Sequence, residues 1–131
     1  MLIDGQSTQL IILNMEDYFN QKTENIYNFK EFIVAAIRDI YRTNDGRYYF
    51  EFIFKDNGDC FHVYIRSQPS YGARSSDGHS THRYEADYEG CKKRICFADE
   101  SQVRTLNSAR KYAEAWSECT AKYINTGKFE L

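Results

Sequence analysis

Two segments with a period of two, separated by a turn sequence, restrict the possible folds of this chain more than any other feature. Residues 48–54 and 60–66 each carry an aromatic or β-branched side chain at every second position, which is the period of a strand with one buried face. Between them, Asp56-Asn57-Gly58-Asp59 contains the Asn-Gly pair that favours tight hairpin turns. The sequence therefore predicts an antiparallel hairpin.

Two further strands are predicted after this hairpin. Residues 81–88 place Tyr84, Ala86 and Tyr88 on one side, and residues 93–98 follow after a turn at Glu89-Gly90. We therefore expect an antiparallel meander of about four strands, 48–54, 60–66, 81–88 and 93–98.

Helical periodicity appears on both sides of these strands. A first helix is predicted over residues 29–43, with a capping box formed by Asn28 and Glu31 and a stop at Asn44-Asp45-Gly46. Its apolar face has the i, i+3, i+4, i+7 spacing and consists of Phe29, Phe32, Ile33, Ala36, Ile37 and Ile40. Further towards the amino terminus, residues 8–13 fit either a strand or a helix, and Asn14 with Asp17 indicates a helix over 15–21.

A second, longer helix is predicted over residues 101–125, with a cap from Asp99 or Ser101 and a left-handed terminator at Gly127. Its inward stripe consists of Leu106, Ala109, Ala113, Trp116, Thr120 and Tyr123. Both helices are expected on the same face of the sheet, so residues 1–131 are predicted to form one α+β domain in two layers.

Composition argues against several classes of protein. The chain of 131 residues has 17 Lys and Arg against 19 Asp and Glu, a formal charge of −2, whereas nucleic-acid and anionic-membrane binders are usually basic. It has no apolar run of membrane-spanning length and no secretion signal, so we expect a cytoplasmic protein. In that compartment its four cysteines are expected to be free thiols.

The sequence does not predict a metal site, a cofactor or a catalytic group. Cys60 and His62 share a strand face, and His79 and His82 lie close together, but neither pair belongs to a recognised zinc framework. Phosphate-loop, dinucleotide and nucleophile-elbow motifs are missing from the sequence. We therefore expect neither a cofactor nor a metal, and favour a protein without enzymatic activity.

The long polar segment Ser67–Ser80 is the most suggestive candidate site, because connections of this length are uncommon in compact domains and are often functional. Side chains in and beside it can bind a carboxylate or a phosphate by guanidinium forks flanked by aromatic or imidazole rings. The predicted ligand-binding residues are Arg66, Tyr71, Arg74, His79, His82 and Arg83. A small anionic ligand or an acidic protein partner is expected there.

Three hypotheses follow for function. The leading one is a non-enzymatic ligand-binding or protein-interaction module. The 11 tyrosines exceed what one small core holds, so we also expect a homo-oligomer, most simply a dimer. The alternatives are a small enzyme of unknown reaction with a His/Arg site on the 67–83 loop, and a single-stranded nucleic-acid binder that stacks bases on tyrosines; the missing RNP motif and the acidic charge make nucleic acid the weaker choice.

Overall fold

The computed structural model describes residues 2–3, 6–7, 9–14 and 32–131, with side chains described at residue 14 and from residue 36 onwards. These residues form an antiparallel sheet with one long helix packed against it, together with a short helix. The α+β class predicted from the sequence is therefore confirmed. The expected helix over 15–21 and the expected cap at residues 28–31 lie outside the described residues.

The described residues contain eight strands in two sheets. Strands β1 (Leu2–Ile3) and β2 (Gln6–Ser7) pair with each other in an antiparallel ribbon. The main sheet contains β3 (Gln9–Asn14), β4 (Phe32–Arg42), β5 (Tyr49–Asp56), β6 (Phe61–Ser67), β7 (Arg83–Tyr88) and β8 (Cys91–Ile95). Its spatial order is β3-β4-β5-β6-β8-β7, with antiparallel neighbours throughout except for the parallel pair β3–β4.

The prediction of a helix over residues 29–43 is wrong where the structure describes this segment. Residues Phe32–Arg42 form strand β4 instead, paired with β5 from Ala36↔Lys55 to Arg42↔Tyr49. The apolar residues of this segment do not alternate strictly, because Phe32 to Ile37 form a continuous apolar run and Ala36 and Ile37 are buried on opposite faces of the sheet. Such a run satisfies a helical spacing as well, which is why periodicity did not distinguish the two.

The predicted meander is also wrong in its last step. Strand β8, not β7, pairs with β6, and β7 forms the edge of the sheet. A tight turn after β6 would have placed the next strand directly beside it. The long polar segment instead leads the chain to the edge of the sheet, where β7 leaves room for one strand between itself and β6. After the hairpin at Glu89-Gly90, β8 occupies this position.

Helix α1 is a single turn, Gly78–Thr81, and helix α2 extends over Leu106–Thr126, preceded by a 3₁₀ turn at Glu100–Val103. Asp99 caps the 3₁₀ turn, whereas Thr105 and Ser108 form the capping box of α2. Gly127 ends α2 at φ 82°, a left-handed conformation that favours glycine. The predicted terminator is therefore confirmed, and the predicted cap belongs to the 3₁₀ turn.

The main core lies between α2 and one face of the sheet, and a smaller buried cluster of Ala36, Ile53 and Cys91 lies on the opposite face. All six residues of the predicted inward stripe of α2 are buried. Trp116 is fully buried, with its ring edge-on to Phe50 and Phe52 at centroid distances of 5.7 and 6.1 Å. Ala109 and Ala113 are also buried, and their small side chains allow the helix to lie close to the aromatic face of β5.

Candidate functional site

The polar segment between β6 and α1 is anchored on the carboxyl-terminal end of α2. Arg74 donates from Nε to the carbonyl of Ile124 and from Nη2 to the carbonyl of Asn125, both at 3.1 Å. The hydroxyl of Tyr123 donates to the carbonyl of Ser75 at 2.7 Å. The last carbonyls of a helix have no hydrogen-bond partner within the helix. Arg74 supplies donors to two of these carbonyls in α2 and at the same time fixes the position of the loop.

Replacing Arg74 by alanine is expected to loosen this segment without unfolding the domain. The two lost hydrogen bonds are exposed, so we expect the free energy of unfolding to fall by roughly 1 kcal/mol. Amide hydrogen exchange should accelerate in residues 68–77 and in the last turn of α2. Lys122→Ala, which removes an exposed cation from the same helix, is the control, and equal acceleration in both variants would contradict the anchoring role of Arg74.

Arg83 is the most buried cation in the described part of the chain, with a residue exposure of 7%. Its Nε donates to Oγ1 of Thr81 at 2.8 Å and its Nη2 donates to the carbonyl of Ser76 at 2.6 Å. The guanidinium carbon lies 4.7 Å from the ring centroid of Tyr71, which is itself buried. Two predicted site residues, Tyr71 and Arg83, are therefore stacked on each other beneath the loop.

A cavity of about 730 Å³ brings together three of the predicted site residues, His79, His82 and Arg83. The remaining lining residues are Gly78, Tyr84, Glu85 and Cys96. The ring of His82 is held by stacking on Phe129 at 4.6 Å. A side chain at position 78 would place its Cβ 2.5 Å from the carbonyl oxygen of Arg83, so only glycine permits this close approach of the cavity wall.

The other predicted residues lie apart from this cavity. Arg66 points to the sheet face opposite α2, where its Nε lies 3.1 Å from Oε2 of Glu51, which also pairs with Arg38. Arg74 is at the end of α2 and does not line the cavity. The structure therefore separates the six predicted residues. Tyr71 and Arg83 form a buried pair, and Arg83 also lines the cavity with His79 and His82. Arg74 anchors the loop on α2, and Arg66 forms an ion pair elsewhere on the sheet.

A second group of chemically active side chains was not predicted as a unit. Cys60 precedes β6, His62 lies on β6 and Glu100 begins the 3₁₀ turn. The Cys60 thiol donates to Oε2 of Glu100 at 3.1 Å. Burial, strengthened by Glu100, raises the pKa of Cys60 to about 11, and burial together with Arg94 lowers the pKa of His62. Cys60 is therefore protonated and His62 neutral at pH 7.

Five tyrosines on or beside the sheet that could stack bases already have ring or cation neighbours. Tyr64 and Tyr88 stack on each other at 4.5 Å, and Arg94 lies 4.7 Å from the ring centroid of Tyr84. Tyr48 and Tyr49 lie beneath arginines in the same way. Single-stranded nucleic-acid binding stays a prediction, and these contacts give it no additional support.

The fold and site together define an α+β domain in which one helix covers a largely antiparallel sheet and a polar loop forms a cavity at the sheet edge. Comparison with protein-family models, curated proteins and solved structures gave no match to this chain. Among the described residues, α2 is the longest helix, and neither it nor α1 has the length and apolar character needed to cross a membrane. Function must therefore be inferred from the side chains themselves.

Proposed function

We propose that this protein is a non-enzymatic binding module that takes a small anionic ligand, through its carboxylate or phosphate group, in the cavity beside Arg83. The cavity volume of about 730 Å³ falls within the range of small-molecule sites, roughly 300–1,000 Å³. His79 and His82 add two imidazole rings to its wall, and imidazole nitrogens donate hydrogen bonds to anionic oxygens.

The observation that carries this proposal is the charge balance around Arg83. Buried cations are normally paired with a carboxylate, because desolvation of an unpaired charge is costly. Among residues 14 and 36–131, whose side chains the structure describes, no carboxylate forms an ion pair with Arg83. Its polar contacts there are a hydroxyl and a carbonyl. An anion in the adjoining cavity would supply the missing negative charge.

A homodimer remains the expected oligomeric state. Among the described residues, Ile40, Tyr49 and Tyr84 are large apolar or aromatic side chains that stay exposed. Such residues are typical of association surfaces, because they bury a large area when two copies meet. Ile40 and Tyr49 lie away from the anion cavity, whereas Tyr84 forms part of its wall.

Titration with inorganic phosphate, followed by two-dimensional ¹H–¹⁵N NMR, tests the anion site. We expect saturable shifts of the amide signals of residues 78–83 and of the Nε–H signal of Arg83. Replacing Arg83 by methionine keeps the apolar stem and removes the charge, and should weaken the affinity about tenfold or more, because hydrogen bonds to charged groups are worth about 1.5–3 kcal/mol. His79→Ala, at an exposed position, should weaken it without disturbing the fold.

Two controls make the result specific. Lys92→Ala removes an exposed cation of β8 and should leave the phosphate affinity unchanged. Sodium chloride at matched ionic strength should not reproduce the shifts. The proposal is wrong if chloride produces the same shifts as phosphate, or if the folded His79→Ala and Arg83→Met variants bind phosphate as the wild type does.

A further inference from the structure

Three metal-ligating side chains from two separate parts of the chain converge at one end of the sheet. The Cys60 sulfur, a ring nitrogen of His62 and a carboxylate oxygen of Glu100 all lie within 4.8 Å of one another. Cys60 is almost completely buried, His62 is half-buried and Glu100 is exposed. The buried Cys60 side chain is therefore held in place by its surroundings, whereas the exposed Glu100 side chain is free to adjust its position.

Local structure holds each of these residues in place. The amide of Asn57 donates to the carbonyl of Cys60 at 2.9 Å and closes the β5–β6 hairpin. The ring of His62 meets Tyr64 edge-on at 6.2 Å. On the other side, Asp99 accepts a hydrogen bond from the amide of Ser101 at 2.9 Å and so fixes the turn that carries Glu100. Each of the three ligands is thus held by a local contact of its own segment.

The charges around the group are compatible with a divalent cation. Two of the nearby cations are directed to other partners, since Arg94 lies over the ring of Tyr84 and Lys55 lies 5.9 Å from the ring centroid of Tyr88. Asp59 adds a second carboxylate close to Cys60. One thiolate and one carboxylate would neutralise a dication, so binding would leave no uncompensated charge.

We propose that Cys60, His62 and Glu100 bind a divalent transition-metal ion, with zinc the preferred ion. Sulfur, imidazole and carboxylate together are a ligand set of zinc, and three protein ligands with an open position are the arrangement of accessible zinc sites. Ligand atoms around tetrahedral zinc are separated by roughly 3.3–3.8 Å. The Cys60 sulfur already lies 3.1 Å from Oε2 of Glu100, and all three ligand atoms lie within 4.8 Å of one another, so side-chain adjustments of up to about 1 Å at His62 and Glu100 would form the group. The metal replaces the proton that Cys60 shares with Glu100, and that proton is released to solvent.

The fourth coordination position would face a cavity. A space of about 370 Å³ is lined by Cys60 and Glu100 together with Asn57, Asp59, Ser101 and Arg104. It is large enough for a metal-bound water. The sequence showed Cys60 and His62 as an incomplete pair, because Glu100 reaches them only through the return of β8 and the 3₁₀ turn.

Cobalt(II) substitution tests this site directly. Protein stripped of metal with a chelator and then titrated with Co²⁺ should take up one equivalent and show the near-ultraviolet charge-transfer band of a cobalt–thiolate bond. Zn²⁺ should displace the cobalt and abolish the band. Cys60→Ser should remove the band, and Glu100→Gln, at an exposed position, should weaken the cobalt affinity by at least about tenfold.

Matched variants separate this site from the other thiols, the other imidazoles and the anion cavity. Cys96→Ser, His79→Ala and Arg83→Met should each keep the band at full intensity if they are folded by circular dichroism. The proposal fails if folded wild-type protein shows no cobalt–thiolate band, or if the band survives in Cys60→Ser. It also fails if Glu100→Gln binds cobalt with the affinity of the wild type. Because cobalt binding is measured without phosphate, its failure is independent of the anion site.

Discussion

Replacing Trp116 by alanine is expected to lower the free energy of unfolding by about 3–5 kcal/mol, the usual range for deletion of a fully buried large aromatic side chain. The Trp116 ring fills the space between α2 and β5, with edge contacts to Phe50 and Phe52. Its Nε1 also donates to the carbonyl of Thr81 at 3.1 Å. A total stability of 5–15 kcal/mol is typical of such domains, so this one change removes a large part of it.

Urea unfolding followed by circular dichroism measures this loss, since Trp116 is the single tryptophan and its removal abolishes the intrinsic indole fluorescence. Trp116→Phe keeps most of the ring volume and loses the donor to Thr81, so it should cost less than the alanine variant. Lys111→Ala changes an exposed position of the same helix and should cost less than about 0.5 kcal/mol. Equal losses for Trp116→Phe and Trp116→Ala would show that the hydrogen bond, rather than packing, accounts for the effect.

The parts of the fold that the sequence predicts well are those decided by local pattern. The alternation of residues 48–54 and 60–66 gives the β5–β6 hairpin, and the stripe from Leu106 to Tyr123 gives the buried face of α2. In both cases one face carries the main core residues at a regular spacing, so the period appears directly in the sequence, although Ile53 on the other face of β5 is buried as well. The glycine at 127 adds a terminator with a specific backbone requirement.

The candidate sites depend on long-range contacts that local pattern does not contain. The polar loop indicated Arg74 and Arg83 as anion ligands, but their side chains reach carbonyls at the end of α2 and within the loop itself. Only the folded chain shows that Arg83 is buried and Arg74 is an anchor. The pairing of Cys60 and His62 with Glu100 has the same origin, since it requires the sheet order in which β8 lies beside β6.

Strand β4 illustrates the opposite case, in which the local pattern was present but ambiguous. The apolar positions of residues 32–40 recur at helical spacing, yet several are β-branched and favour a strand. In β4, Ile37 faces the core beneath α2 with 3% exposure, whereas Ile40 lies on the opposite face with 48% exposure. The predicted helix would have placed both isoleucines on one apolar face. The two structures therefore make different predictions for the same pair of substitutions.

Ile37→Ala is expected to cost about 2–5 kcal/mol, because it opens a cavity in the core, whereas Ile40→Ala should cost less than about 1 kcal/mol, the span of strand propensity at an exposed position. Urea unfolding of the two single variants measures both losses. An unchanged slope of the unfolding free energy against urea concentration shows that the unfolding transition itself is the same in both. If β4 were a helix with both side chains in its buried stripe, the two losses would be similar and large. Equal losses would therefore contradict the strand, and with it the register that places Asp39 within 3.1 Å of Arg110 on α2.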